Sequence, residues 1–199
     1  MWGMPDGRIT RGEATRQRIL GAARVLFGEH GYEHTSIEAV LESSGVARGA
    51  LYHHFPSKSA LFDAVLEAVV AELAARAAQQ AHGGDALENL RAGARSWMQM
   101  AREPDVQRIY LLDPQAVVGW ARWRELDERY WLGGLRASFG KLAREGRVPQ
   151  GQEQFLAYML CAVLTEAALF VANASDQASA GRTAEASVDL LIDRLLAAP

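Results

Sequence analysis

Between residues 35 and 58 the chain gathers donor side chains at spacings suited to a polyanion. Thr35 and Ser36 precede one apolar-periodic segment, Arg48, Gly49 and Ala50 open a second, Tyr52, His53 and His54 follow, and Lys58 comes directly after Pro56-Ser57. A recognition helix enters a DNA major groove, about 12 Å wide, by its first turns, so those turns need small or donor-bearing residues. Arg48 can make paired bonds to a guanine edge or hold a phosphate, Gly49 lets backbone approach the bases, and the Ala50 methyl can touch a thymine methyl. Tyr52 and His54 suit phosphate anchoring, and His53 a base or phosphate contact. Thr35, Ser36 and Lys58 stand at expected helix starts, where the helix dipole favours an anion. His53 and His54 do not form a chelating pair, because adjacent helical side chains diverge by about 100°. Neither a metal nor a cofactor is expected.

The elements that must hold these residues are helical. No stretch alternates in the manner of a strand, and apolar residues recur at helical spacing from end to end, which predicts an all-α protein. A first helix is expected over about 15–29, with Ile19, Ala23, Leu26 and Phe27 on its buried face and His30-Gly31 as its stop. Thr35 is expected to cap a second helix in a capping box with Glu38. Gly45 then turns the chain, Val46 plugs the turn, and a third short helix runs from Ala47 to His54 before Phe55-Pro56. Leu51 and Phe55, four apart, face inward with Phe27, Ile37, Val40, Val46 and Phe62. Two short helices about a glycine turn read as a helix-turn-helix. Ser57 caps a long helix, 58–81, which serves as connector and ends at His82-Gly83-Gly84. Residues 1–14 read as a flexible arm, 15–60 as the DNA-binding domain, and 61–199 as a second helical region.

The combination of Gly45-Val46, Leu51-Tyr52-His53-His54-Phe55 and Pro56-Ser57-Lys58 closely resembles the DNA-binding signature of the TetR family of bacterial transcriptional regulators. The resemblance covers about residues 15–81. It implies an N-terminal three-helix helix-turn-helix domain joined by a long helix to a C-terminal bundle for ligand binding and dimerisation. It also implies a small-molecule effector, a double-stranded operator and a repressor released by effector. Two positions depart from the pattern: Leu41 stands where a small residue is usual, and Ala47 where a capping serine is usual.

In the second region, helices are expected at about 85–103, from Asp113-Pro114, and at 119–145, 152–173 and 183–197, with 175–181 as a small polar link. Trp97, Trp120, Trp123 and Trp131 cluster with Tyr110 and Tyr130. Such ring surface can line a cavity, although core packing is the usual use of each ring. Trp97, Tyr110, Trp123, Tyr130, Phe155, Met159, Glu166 and Phe170 are the effector-pocket candidates. Glu166 shares its helical sector with Phe155, Met159, Ala162 and Phe170. A carboxylate there calls either for a basic or hydroxylated effector or for pairing with Arg95, Arg122, Arg124 or Arg129. Helices 152–173 and 183–197 are apolar nearly all round, so each needs partners on two sides, and a homodimer supplies the second. That dimer would set two reading heads one helical turn, about 34 Å, apart on a palindromic site.

The 199 residues are 49% hydrophobic with one cysteine, which excludes a disordered chain and a disulfide scaffold. Net charge is −3, distributed as +1 over residues 1–60 and −4 over the rest, so any anion-binding surface is local. Residues 1–14 lack the apolar core of a signal peptide, and the apolar run 155–174 is interrupted by Thr165, Glu166 and Asn173; a cytoplasmic protein without a membrane span is expected. No nucleophile elbow, His-Glu-x-x-His or phosphate loop supports an enzyme. An effector-independent architectural DNA binder or interaction module is the alternative.

Overall fold

The computed structural model describes residues 7–80 and 85–196. Among them every regular element is a helix: α1 (Gly7–His34), α2 (Ile37–Ser44), α3 (Arg48–His54), α4 (Lys58–Gln80), α5 (Ala86–Met100), α6 (Pro104–Val106), α7 (Pro114–Val117), α8 (Trp120–Asp127), α9 (Gly133–Arg144), α10 (Glu153–Ala172) and α11 (Gln177–Leu196). Two π-helical turns, Gln107–Leu112 and Glu128–Leu132, continue α6 and α8.

Local signals explain most boundaries. Gly45 adopts φ 63°, ψ 26°, a left-handed conformation cheap only for glycine, and its N–H bonds the Leu41 carbonyl at 3.0 Å to close α2. The Ser57 hydroxyl accepts from the Ala60 N–H at 3.0 Å to open α4, and the Asp85 carboxylate accepts from the Leu87 N–H at 3.2 Å to open α5. α3 has no side-chain cap, since Ala47 stands at its N-cap. Around α3 the core is as the spacing predicts: Leu51, Phe55, Val46, Val40, Ile37, Phe27 and Phe62 are all buried, and the Phe27 and Phe62 rings meet edge to face at 5.1 Å.

Several expectations need correction. Helix α1 begins by Gly7, so residues 7–14 are helical rather than an arm; the rest of that arm lies outside the described residues, as do His82, Gly83 and Gly84. Gly31 does break the helix (φ 76°, ψ 172°), but the chain resumes helical geometry to His34. The Tyr32 N–H beyond this break is accepted by Asp113 Oδ2 at 2.7 Å, from the second region. Arg24 likewise reaches across to Asp105 at 3.0 Å. The single helix expected over 119–145 is instead α8, a π-helical turn and α9. α5 stops at Met100, and α11 starts at Gln177 inside the expected polar link.

Helix α4 packs on α1 and α5, and α9, α10 and α11 complete the second bundle around α5. Only α10 among the described residues is long and apolar enough, by length and composition, to cross a membrane. It is packed along one side by α9, α11 and α5, burying Ala157, Leu160, Cys161, Leu164, Ala168 and Val171.

Candidate functional site

Helix α3 is amphipathic about a single turn. Leu51 and Phe55 are buried beneath it, which turns Arg48, Gly49, Tyr52 and His53 to solvent and leaves Ala50 and His54 half-buried at its edges. The exposed side therefore carries a guanidinium, an imidazole and a phenol above a stretch of bare backbone, with the His54 imidazole at its edge. Ser36 is also exposed, and it is the true cap of α2, accepting from the Ala39 N–H at 3.1 Å.

Thr35 does not belong to this surface. It is 2% exposed, and its hydroxyl donates to the carbonyls of Gly31 at 2.8 Å and Leu26 at 3.0 Å, tying the end of α1 to the start of α2. The expected capping box is absent for the same reason, because the cap lies one residue later. Glu38 instead accepts from Arg48 Nη2 at 2.7 Å, and the guanidinium holds the Glu38 carboxyl below its usual range. Both partners are exposed, so the pair is easily exchanged for another anion. Lys58 is half-buried: its ammonium lies 4.2 Å from the Tyr32 ring centroid and 3.4 Å from the Glu33 carbonyl, at the N-terminus of α4.

A cavity of about 220 Å³ opens between α4, α5, α9, α10 and the second π-helical turn. Trp97, Tyr110 and Tyr130 line it, with Trp131, and Cys161, Leu164 and Thr165 contribute from α10. Burial pushes the Cys161 thiol up to about 12, so it is not a thiolate at neutral pH. Tyr110 sits in the first π-helical turn, and Tyr130 and Trp131 in the second, so both irregular segments present rings to the cavity. Trp123 is outside the lining. It is 2% exposed, and its N–H donates to the Tyr110 carbonyl at 3.0 Å, behind the cavity wall.

The α10 candidates are on the wrong side of their helix. Phe155, Met159 and Phe170 are exposed, as is Glu166. With the opposite sector of α10 buried in the bundle, theirs faces away from the cavity. None of the four arginines considered for Glu166 pairs with it: Arg95 binds Asp189, Arg122 binds Asp63, Glu67 and Glu125, Arg124 binds Asp127, and Arg129 binds Glu67 and Glu125. Leu190, Leu191 and Leu195 of α11 are exposed as well.

Sequence reasoning missed the other half of the lining, formed by Ala74, Ala77 and Ala78 of α4, Asn89, Leu90, Gly93 and Ala94 of α5, and Gly134, Leu135 and Ser138 of α9. The available signal was the row of small residues on consecutive helices, which leaves a gap where large side chains would close it. Among the described residues no cluster of His, Cys, Asp and Glu is placed to hold a metal.

An outward-facing recognition helix, locked by a glycine turn to its partner and followed by a long connector into a second bundle, defines a helix-turn-helix DNA-binding regulator. Residues 19–65 match the family model described as bacterial regulatory proteins, tetR family, and residues 87–195 match the tetracyclin repressor-like C-terminal domain. The chain belongs to the TetR family of transcriptional regulators, and it is not an enzyme. It is 44% identical over 63 residues to the HTH-type transcriptional regulator UidR of Escherichia coli K12, a match spanning 32% of each chain. It is 31% identical over 140 residues to the HTH-type transcriptional repressor AcnR of Corynebacterium efficiens, covering 67% of this chain and 69% of that one. The crystal structure of a TetR-family regulator from Pectobacterium atrosepticum superposes with a TM-score of 0.84 at 34% identity, covering 96% of this chain and 98% of the other.

Proposed function

We propose that the protein is a cytoplasmic homodimeric repressor that binds a palindromic operator and leaves it when a small apolar or aromatic effector occupies the C-terminal cavity. The observation that carries this reading is the division of α3. Leu51 and Phe55 anchor it to the core while Arg48, Gly49, Tyr52 and His53 stand free to enter a groove. Ser36, Ala50, His54 and Lys58 flank that surface and complete the proposed contacts, Lys58 and Ser36 toward phosphates.

The exposed apolar sectors of α10 and α11 support a dimer. Phe155, Met159, Phe170, Leu191 and Leu195 cost free energy in water, and a second copy presenting the same sectors covers them symmetrically. In that arrangement the region 15–60 reads DNA, α4 connects, and 61–199 senses and dimerises. The effector acts by binding one spacing of the two heads better than the other.

The test is fluorescence anisotropy on an operator selected from random duplex and on a scrambled duplex, each across a salt series. A sequence-specific regulator retains a difference between the two duplexes at every salt concentration, whereas an architectural binder loses both together. An Arg48→Ala protein that binds the selected operator as tightly as the parent removes the proposed reading surface.

A further inference from the structure

The cavity's wall chemistry specifies more than an apolar effector. Three of its four rings have their polar ends committed to protein. The Trp97 N–H donates to the Leu164 carbonyl at 3.1 Å, the Tyr110 hydroxyl to Asp127, and the Tyr130 hydroxyl to Glu67 at 3.1 Å. What these residues leave to the cavity is therefore ring carbon. The Trp131 N–H is buried beside the Tyr110 side chain and makes no well-formed hydrogen bond there, so a ligand oxygen within its reach would gain from satisfying it. Among the described residues the lining holds no charged side chain; its remaining polar groups are the neutral Asn89, Ser138 and Thr165.

A charged ligand would lose hydration there without meeting a counter-ion, which is costly, whereas a neutral one would not. Size narrows the class further. A cavity of about 150 Å³ accommodates benzene, and this one, at about 220 Å³, has room for a substituted single ring or two fused rings.

We infer that the cavity takes a neutral, planar molecule of one or two aromatic rings bearing a hydroxyl or carbonyl oxygen, and discriminates against its carboxylate and ammonium counterparts. This inference rests on the effector-binding reading above and deepens it.

Calorimetric titration of the full chain with 2-naphthol, 2-naphthoate and 2-naphthylmethylammonium at neutral pH tests it. The three probes share a ring system and differ in charge. Saturable binding of 2-naphthol, at least about a hundredfold tighter than either ion, is expected from the price of burying an unpaired charge. Gly93 lines the cavity and a Cβ there meets nothing within 4 Å, so the side chain of Gly93→Leu starts into open space at the cavity wall. That variant should keep its circular dichroism and melting temperature while losing 2-naphthol. Equal or tighter binding of either ion, absence of saturable 2-naphthol binding, or unchanged binding in folded Gly93→Leu overturns the inference.

DNA anisotropy on the same samples separates this inference from the regulatory reading. Cavity binding of 2-naphthol with operator affinity unchanged counts against an effector role and leaves the ligand class standing. An ion that binds the parent more tightly than 2-naphthol, is lost from Gly93→Leu and shifts operator affinity only in the parent overturns the ligand class and leaves regulation standing.

Discussion

Tyr130 and Glu67 join the cavity wall to the connector helix: the hydroxyl of a ring that lines the cavity donates to a carboxylate on α4 at 3.1 Å. Arg122 and Arg129 hold the same carboxylate, each at 2.6 Å. Burial opposes ionisation of Glu67, yet the bonds from Arg122 and Tyr130 outweigh it and keep the carboxyl below its ordinary value. Helix α4 also carries Phe62 into the core beneath α3, so the helix that Tyr130 bonds is the one on which the reading head rests.

Tyr130→Phe should therefore retain cavity binding within about threefold while losing much of the ligand's effect on operator affinity, on the order of 1 kcal/mol of coupling. The measurement is operator anisotropy with and without saturating ligand. Full coupling in the variant would show that the signal takes another route.

The two sides of α3 should respond oppositely to truncation. Leu51→Ala should cost about 2–5 kcal/mol in urea denaturation, because a fully buried leucine leaves a cavity. Tyr52→Ala, at an exposed position, should stay within about 0.5 kcal/mol of the parent in stability and weaken operator binding. A Tyr52→Ala protein with parental operator affinity would remove that residue from the contact surface.

These inward and outward positions on α3 were legible in the sequence, because Leu51 and Phe55 are spaced by one helical turn and Gly45 marks the reversal. The α10 assignment was not. Its mean composition is apolar on every side, so periodicity could not distinguish the sector facing the bundle from the one bearing Phe155, Met159 and Phe170. Thr35 and Ser36 are both capping residues, and only the carbonyls of Gly31 and Leu26, brought close by the fold, decide which one caps. The partner of Glu38 lies ten positions along, across the turn, where no local rule reaches. The π-helical turns have no composition of their own, so the rings they carry could be named as cavity candidates but not oriented.

Phe155→Asp combined with Phe170→Asp should convert the protein to monomers in sedimentation velocity while leaving its circular dichroism unchanged, since both rings are exposed in the single chain. A dimer in both parent and variant would place the subunit contact elsewhere, and a monomeric parent would remove the proposed dimer.

Ala47→Ser should stabilise the protein by about 0.5–1 kcal/mol in thermal melts, because α3 lacks a side-chain cap and Ala47 already has extended backbone geometry, φ −65° and ψ 142°. A lower melting temperature would mean that the hydroxyl finds no N–H to accept from.

Asp127 is fully buried, and burial raises its carboxyl above the ordinary value of 3.8 despite the bond from Tyr110. A folded-state value above the unfolded one stabilises at low pH and ceases to do so as pH rises through the folded value. Asp127→Asn keeps an acceptor for Tyr110 and removes the titration, so its stability relative to the parent should increase from acidic to neutral pH. Chemical denaturation across that range measures it, and a parallel pair of curves would deny Asp127 a raised value.

The amide freed by the break at Gly31 finds its acceptor, Asp113, more than eighty residues away, and Arg24 finds Asp105 at a similar remove. Excising the reading head would strand these groups and uncover the flank of α1 that they secure. The two halves are thus joined by more than α4, and a head transplanted onto a foreign sensor would have to find substitutes for those two carboxylates.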